Sequence, residues 1–500
     1  MGQKGFHPLP LDLSRVSGLE PRAATTGSRV LHVLPALIQI ICLFALSRLL
    51  GPAALGESAL AFAFIWVLAL LGTPWLDDSQ TRLLPLFRAS GREAELLSTS
   101  LVLALTSSLL LSALGFVLLA ATARLLSPVT LATVRTGLLT LPLLALFCPI
   151  SSTGTYHSPV VRRLVIAGGV AIGVLLMARL RLDSPALFLG PAIIAAIWLL
   201  ASRGRFRLAD PRRFNLALAA HLLRTGIPSA LPRLCLPLVA LAGGFLVNVL
   251  YGGSAVGVYA FGWALALCLV QLSQALPLDE VLSNLPFPVL DRRLNRYVRI
   301  ALPATVMFFL LSFTLARLAL PAVWGNVASV IPWFAASAAG YGLSRYAAAP
   351  LLGAGRHGRY LRLMASALGV NLVLCLLLAP MLGVQGAAMA GTLAVAMVCL
   401  SLVSAAQEHS AWRFRRTDLV IPATGTIVIF AVHSGLAHFF VTSVWTLLLE
   451  ILFGGAGYWV ACLLADRLAA SDLPSQFGQF WRRGATGLLR PFGIRLNPDS

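Results

Sequence analysis

Charge is scarce in this chain, and acidic charge is scarcest. Only 11% of its 500 residues are charged, 18 of them acidic, and of the 38 basic residues one alone, Lys4, is a lysine. A soluble globular domain carries about 25% charged residues. An ordinary soluble enzyme, a disordered chain and a fibrous chain are therefore excluded. An excess of Arg, Ala and Leu is what a GC-rich coding sequence gives, so the preference for Arg over Lys carries no function by itself. Metal-ligand and redox spacings are missing as well. The seven cysteines, Cys42, Cys148, Cys235, Cys268, Cys375, Cys399 and Cys462, stand singly in apolar runs without a C-x-x-C pair, and they read as small buried hydrophobes. There is no Walker motif, no clustered Ser/His/Asp set and no large polar loop between apolar runs. ATP-driven transport, hydrolysis and membrane glycosyl transfer or polymerisation are thus disfavoured, and no cofactor or metal is expected.

What is present is apolar length. Hydrophobic residues make up 58% of the chain and the mean hydropathy is +0.86. A bilayer core about 30 Å thick needs roughly 20 mostly apolar helical residues. Fourteen such runs occur, at about 30–49, 55–76, 96–122, 130–151, 161–180, 185–202, 226–250, 255–277, 298–321, 327–352, 362–381, 384–406, 418–441 and 444–465. The expected fold is all-α, a polytopic membrane protein of about 14 transmembrane helices. Residues 1–29 are polar and have no apolar core. They do not read as a cleavable signal peptide, so the first span is expected to act as an uncleaved insertion signal. With the N-terminus placed inside, 30 of the 38 basic residues fall in inner segments, six in outer loops and two, Arg233 and Arg345, within spans. That asymmetry obeys the positive-inside rule and puts both termini in the cytoplasm. It also accounts for the net charge of +20 without nucleic acid as a partner.

The chain matches itself at an offset of 201 residues. Gly51, Ala54, Gly56, Asp78, Pro85 and Arg92 fall on Gly252, Ala255, Gly257, Asp279, Pro286 and Arg293, and 11 of the 42 positions in 51–92 are identical. Six helices separate the copies, so they share an orientation and the repeat is parallel, with its pseudo-axis along the membrane normal. The expected organisation is a cytoplasmic tail (1–29), a first six-helix bundle (30–202), a basic cytoplasmic linker (203–225), a second six-helix bundle (226–406), an appended helix pair 13–14 (407–465) and a basic amphipathic tail (466–500). Two facing bundles enclose a central cavity, which is a transporter architecture.

Short stretches within this frame resemble a known family. Ser47-Arg-Leu-Leu-Gly-Pro-Ala-Ala-Leu-Gly56, an apolar span and then Asp78-Ser-Gln-Thr-Arg82 look like the opening of polysaccharide-exporter flippases of the multidrug/oligosaccharidyl-lipid/polysaccharide exporter superfamily. Leu250-Tyr-Gly-Gly-Ser-Ala-Val-Gly-Val-Tyr259 resembles the equivalent turn of the second half, and Leu352-Gly-Ala-Gly-Arg356 also fits. Glu57 departs from the pattern, standing where a small residue or Tyr is usual. The resemblance implies a flippase of the bacterial inner membrane, moving polyprenyl-diphosphate-linked oligosaccharide outward for exopolysaccharide, capsule or O-antigen assembly. Its implied partners are the lipid-linked oligosaccharide, anionic inner-leaflet lipids, and polysaccharide polymerase and assembly proteins. The alternative within the superfamily is an ion-coupled exporter of drugs or other small molecules.

Such a cargo sets the chemistry. An anionic diphosphate calls for cations in a hydrated cavity, and the planar donor fork of arginine suits it. An arginine inside a membrane costs about 2.5–3.5 kcal/mol on insertion scales, so it should face the interior. Arg233 and Arg345 are accordingly candidates to line the cavity; snorkelling or pairing with a carboxylate is the competing reading. Gln39, Asn248, Gln271 and Gln274 are candidates for sugar hydroxyls or for hydrogen bonds between helices. Asp78, Arg82, Asp279 and Glu280 are candidates for an inner gate, with Asp78 and Asp279 as repeat mates, or for ordinary solvated helix ends. Arg48 lies in the outer turn. Glu450 is an acid in span 14, outside the repeat, and reads equally as a candidate proton carrier or as an exposed helix end. His433 and His438 in span 13 are five apart, about 140° around a helix, and read as interior or interfacial histidines. Gly353-Ala-Gly-Arg-His-Gly358 matches G-x-G-x-x-G but follows a membrane helix, so the dinucleotide reading fails its context. Gly169 and Gly173 form a G-x-x-x-G expected to pack closely against another helix.

Overall fold

A computed structural model describes residues 26–72, 83–84, 86–122, 124, 127–152, 159–180, 184–201, 210–273, 297–298, 301, 303–307, 309–311, 314, 318, 320–354, 356–409, 416–439 and 443–469. Among these, regular structure is helical throughout, without a strand. The principal helices are α1 (Thr26–Gly72), α2 (Glu93–Thr122), α3 (Pro128–Ser152), α4 (Pro159–Leu180), α5 (Ala186–Ala201), α6 (Leu216–Tyr251), α7 (Gly253–Ser273), α8 (Val327–Gly353), α9 (His357–Leu382), α10 (Val384–His409), α11 (Arg416–Phe439) and α12 (Val444–Ala469). Among the described residues seven helices are long and apolar enough to cross a membrane. Leu110, Leu139, Met381 and Trp445 are each more than 70% exposed. Such an apolar exterior is untenable in water and natural in lipid.

The sequence-derived boundaries shift in two places. The first two expected spans form the single helix α1, interrupted only at Gly51, whose φ of 70° and ψ of 173° lie outside helical space. Gly252, the repeat mate of Gly51, separates α6 from α7 with φ 79° and ψ −178°. Only glycine occupies this region at low cost, which explains why these two positions survive as matches where cheaper Ala and Leu pairs mean little. The second shift is at α6. It starts at Leu216, ten residues before the expected span, because Asn215 caps it: the side-chain oxygen accepts from Leu218 N–H at 3.1 Å. This cap satisfies one of the orphan amides of the first turn.

The 201-residue offset recurs in the helix bounds. Shifted by that amount, α3 covers 329–353 against 327–353 for α8, α4 covers 360–381 against 357–382 for α9, and α5 covers 387–402 within α10 at 384–409. The helices alternate in direction, giving the molecule two ends. One carries Gly51, Gly252 and Gly383, all at positive φ, and is termed the turn end. The other carries Arg88, Arg92, Arg212, Arg213, Arg356 and Arg359 and is termed the basic end.

Packing between the matched helices concentrates at the turn end, where α1 lies along α7. A methyl group at Gly56 would run into the backbone of Gly253 and come within 2.6 Å of Gly257 N, and one at Gly257 would run into the carbonyl of Pro52. Pro52 and Gly253 are themselves repeat mates. Each copy therefore offers its mate the same contact, as across a two-fold axis. An aromatic cluster lies beneath it: Phe44 meets Phe261 edge-on at 5.4 Å, Phe261 meets Trp324 at 5.6 Å, and the buried Trp324 indole donates to Ser47 O at 3.2 Å. The expected G-x-x-x-G packing is present. Gly169 and Gly173 of α4 receive Gly190 of α5, where an added methyl would clash with the Gly169 carbonyl and lie 2.9 Å from Gly173 Cα. Close backbone approach of this kind replaces a hydrophobic drive that lipid does not supply.

Candidate functional site

The basic end is held by short-range polar bonds. Arg88 grips Glu93 at 2.9 Å and Arg92 grips Glu95 at 2.8 Å, each through two guanidinium nitrogens. These bonds hold the Arg88 and Arg92 guanidinium groups above the ordinary arginine range. Glu95 also accepts from the Asn215 side chain at 2.8 Å, while the Asn215 backbone N–H donates to Thr99 Oγ1 at 3.2 Å. The start of α6 is thereby tied to the start of α2, one repeat to the other. Arg359 of α9 pairs with Glu408 of α10 at 2.7 Å.

The candidate residues separate into three groups. Asp78, Arg82, Gln274, Asp279 and Glu280 lie outside the described residues, as do the 1–25 and 470–500 tail segments. Arg233 is in α6 and Gln271 in the last turn of α7. The third group has described side chains. Arg345 is half-buried on α8. Its neighbours Tyr341 and Ser344 line a small pocket with Cys235 and Val239 of α6, Met364 and Ala367 of α9, and Ala394, Val395 and Val398 of α10. Helix α6 thus contributes to this pocket two residues beyond Arg233, so Arg233 and Arg345, the two arginines expected within spans, stand on helices that border it. Gln39 is engaged between helices: its Oε1 accepts from Cys268 Sγ at 3.9 Å, joining α1 to α7. Asn248 is exposed, and its backbone carbonyl accepts the capping N–H of Gly252 at 2.9 Å. Arg48 is exposed, one turn before the Gly51 kink. Six of the seven cysteines have described side chains, and all six are buried. The G-x-G-x-x-G segment spans the α8–α9 connection, a junction of two helices.

Several polar contacts were invisible in the sequence. Glu57, the departure from the family pattern, accepts hydrogen bonds from Ser127 Oγ and from Thr130 Oγ1, the latter at 3.2 Å. Ser127 in turn accepts from Thr130 N–H at 3.2 Å as the cap of α3. The carboxylate therefore rests on a helix N-terminus, where its negative charge is favoured. Asn371 is fully buried in α9 and bridges to α6 by donating to Val239 O at 3.4 Å. Glu450 and His433, noted separately in the sequence, lie 3.4 Å apart between α11 and α12. Apart from the local Ser127–Thr130 cap, separations of 17 to 132 residues connect these partners, and no local spacing encodes them. Among the described residues no group of three or more His, Cys, Asp or Glu side chains is placed to hold a metal ion.

No protein-family model and no curated protein sequence matches the chain. Solved structures do. The lipid II flippase MurJ in an inward closed conformation aligns at TM-score 0.70 and 14% identity, covering 89% of this chain and 100% of that one. An inward-facing multidrug resistance transporter of the MATE family, in the MOP superfamily, aligns at TM-score 0.58 and 14% identity, covering 76% and 97%. A MOP superfamily transporter from Pyrococcus furiosus, described as having a binding pocket of reversed polarity, aligns at TM-score 0.54 and 15% identity, covering 76% and 95%. The chain therefore has the helical membrane-transporter fold of these proteins.

Proposed function

We propose that this chain is a flippase that moves polyprenyl-diphosphate-linked oligosaccharide across the bacterial inner membrane by alternating access, in surface polysaccharide assembly. The observation that carries the reading is the extent of the likeness to the lipid II flippase. It takes in 89% of this chain, against 76% for the multidrug transporter, and the difference is about the size of the α11–α12 pair, 24 and 26 residues. Cation placement supports the same cargo, because two arginines stand on membrane helices where an exporter of organic cations would need acids.

In this reading the two six-helix bundles are the moving parts, with the basic end in the cytoplasm. The isoprenoid tail stays in lipid, the sugar enters the space between the bundles, and Arg233 and Arg345 draw in the diphosphate. The contact between Gly56 and Gly257 closes the outer side. Alternation exchanges it for closure at the basic end, where Asp78, Arg82, Asp279 and Glu280 form the gate. Anionic inner-leaflet lipids meet the arginine-rich loops, and polymerase and assembly proteins receive the cargo. Deletion of the gene tests the proposal. Lipid-linked saccharide should accumulate in the inner leaflet and surface polysaccharide should be lost. Loss of drug resistance with normal polysaccharide would refute it and favour the small-molecule exporter.

A further inference from the structure

The appended pair α11–α12 contains a site that the proposed flipping mechanism does not use. The two helices pack antiparallel in a regular register. On α12 the buried stripe runs Thr446, Glu450, Gly454, Tyr458 and Cys462, one residue per turn. On α11 it runs Gly425 and Ile429 and ends at the half-buried His433. A methyl at Gly425 would meet Tyr458 at 2.6 Å, and one at Gly454 would meet Ile429 at 3.8 Å and Met307 Sδ at 3.3 Å. One further turn along this ladder sets His433 opposite Glu450.

Next to the pair, Val306, Met307 and Leu310 pack against the buried cluster of Ile429, Tyr458 and Cys462. Among the described side chains of α11, α12 and 297–320, the other titratable groups are Tyr297, His438, Tyr458 and Cys462; none is an acid or an arginine. Glu450 is buried, 5% exposed, and its Oε2 has no hydrogen-bond partner among the described residues. Oε1 stands 3.4 Å from His433 Nδ1 without closing a hydrogen bond. His433 is 24% exposed and gives the pair its edge. Glu450 is six residues from the start of α12, about 9 Å along the helix from the turn end.

A bare carboxylate in such surroundings is costly. One proton on the Glu450 carboxyl, beside a neutral His433 imidazole, removes the charge. We propose that His433 and Glu450 form a proton-binding site, holding one proton that exchanges with water at the His433 edge. When the proton leaves, the electron pair stays on the Glu450 carboxylate. The buried negative charge then loosens the packing of α11 and α12 on Val306, Met307 and Leu310. Proton occupancy is thus linked to how the pair is seated. This site lies outside the repeat and does not depend on the identity of the cargo.

The test uses full-length protein in lipid nanodiscs and dicyclohexylcarbodiimide, an apolar reagent selective for protonated carboxyls. The carboxylic O–H adds across a C=N bond, the proton goes to nitrogen, and an acyl shift leaves a stable N-acylurea with no leaving group. Mass spectrometry locates the adduct. Labelling of Glu450 should fall at least about tenfold as the pH is raised. His433→Gln should displace that profile while leaving the protein monodisperse. Absence of labelling at every pH, labelling independent of pH, or coincident profiles for wild type and His433→Gln would each overturn the proposal. Because no transport is measured, failure here is distinct from failure of the flippase reading.

Discussion

Replacing Gly257 with Ala puts the repeat contact to a quantitative test. The new methyl would collide with the Pro52 carbonyl, and the mate substitution Gly56→Ala would bring a methyl within 2.6 Å of Gly257 N. Backbone on one helix cannot rotate aside as a side chain would. Restoring ordinary contact requires α1 and α7 to separate by about 1.2–1.6 Å for Gly257→Ala and about 0.7–1.1 Å for Gly56→Ala, which forfeits roughly half of each dispersion contact along the seam. Overpacking of this kind costs about 1–3 kcal/mol. A helical Gly→Ala change returns up to about 1 kcal/mol of propensity, so the net loss is up to about 2 kcal/mol for each variant. Gly369 isolates the propensity term, since it lies in α9 with nothing within 4 Å of an added methyl. Heating the purified proteins at one scan rate and following the surviving monodisperse fraction should rank Gly369→Ala at or above wild type. The other two variants should fall a few degrees below it. The double variant Gly56→Ala/Gly257→Ala should lose less than the two single losses combined, because one separation relieves both clashes. A Gly257→Ala protein that melts with Gly369→Ala, or strict additivity in the double variant, would refute the paired contact.

Other expectations follow from individual sites. Arg345→Ala should lower export at normal membrane levels, with apparent cargo affinity down about 10- to 100-fold for a lost charge-assisted contact; Arg345→Lys should recover only part of it. Gly190→Val should destabilise the α4–α5 pair by more than Gly257→Ala disturbs α1–α7, read by the same heating assay, because Gly190 meets two glycines of α4 at backbone distance. Glu57→Ala should cost about 0.5–2 kcal/mol by leaving the α3 cap without its carboxylate, seen as a modest fall in melting temperature. Glu57→Gln, which keeps an acceptor, should lose less.

The sequence was most informative where backbone geometry demands one residue type. Gly51 and Gly252 occupy a conformation that only glycine tolerates, and Gly56 and Gly257 leave no room for a side chain, so these four positions carried the repeat when composition made other matches cheap. Apolar length likewise located α2, α5, α9 and α10 to within a few residues. Hydropathy failed at the start of α6, where His221 and Arg224 hide an amphipathic first turn that Asn215 caps. It also failed at Gly51, where a span boundary is a kink of one residue within α1. Side-chain partnerships were hidden for a different reason. The spacing of His433 and His438 drew attention to a single helix, whereas the partner of His433 is Glu450 on the next one. Antiparallel register between α11 and α12 depends on where their connection turns, and residue types alone do not specify it. Glu57 looked anomalous because Ser127 and Thr130 lie some 70 residues away.

The central claim is that this fold carries a lipid-linked saccharide. Proteoliposomes containing the purified protein and a fluorescent polyprenyl-diphosphate oligosaccharide test it most directly, with a membrane-impermeant quencher reporting which leaflet holds the label. The account predicts loss of the protected inner-leaflet fraction with wild-type protein and markedly slower loss with Arg345→Ala reconstituted at equal density. Protection that persists with wild-type protein as it does in protein-free vesicles, while the same preparation moves an organic cation, would contradict it.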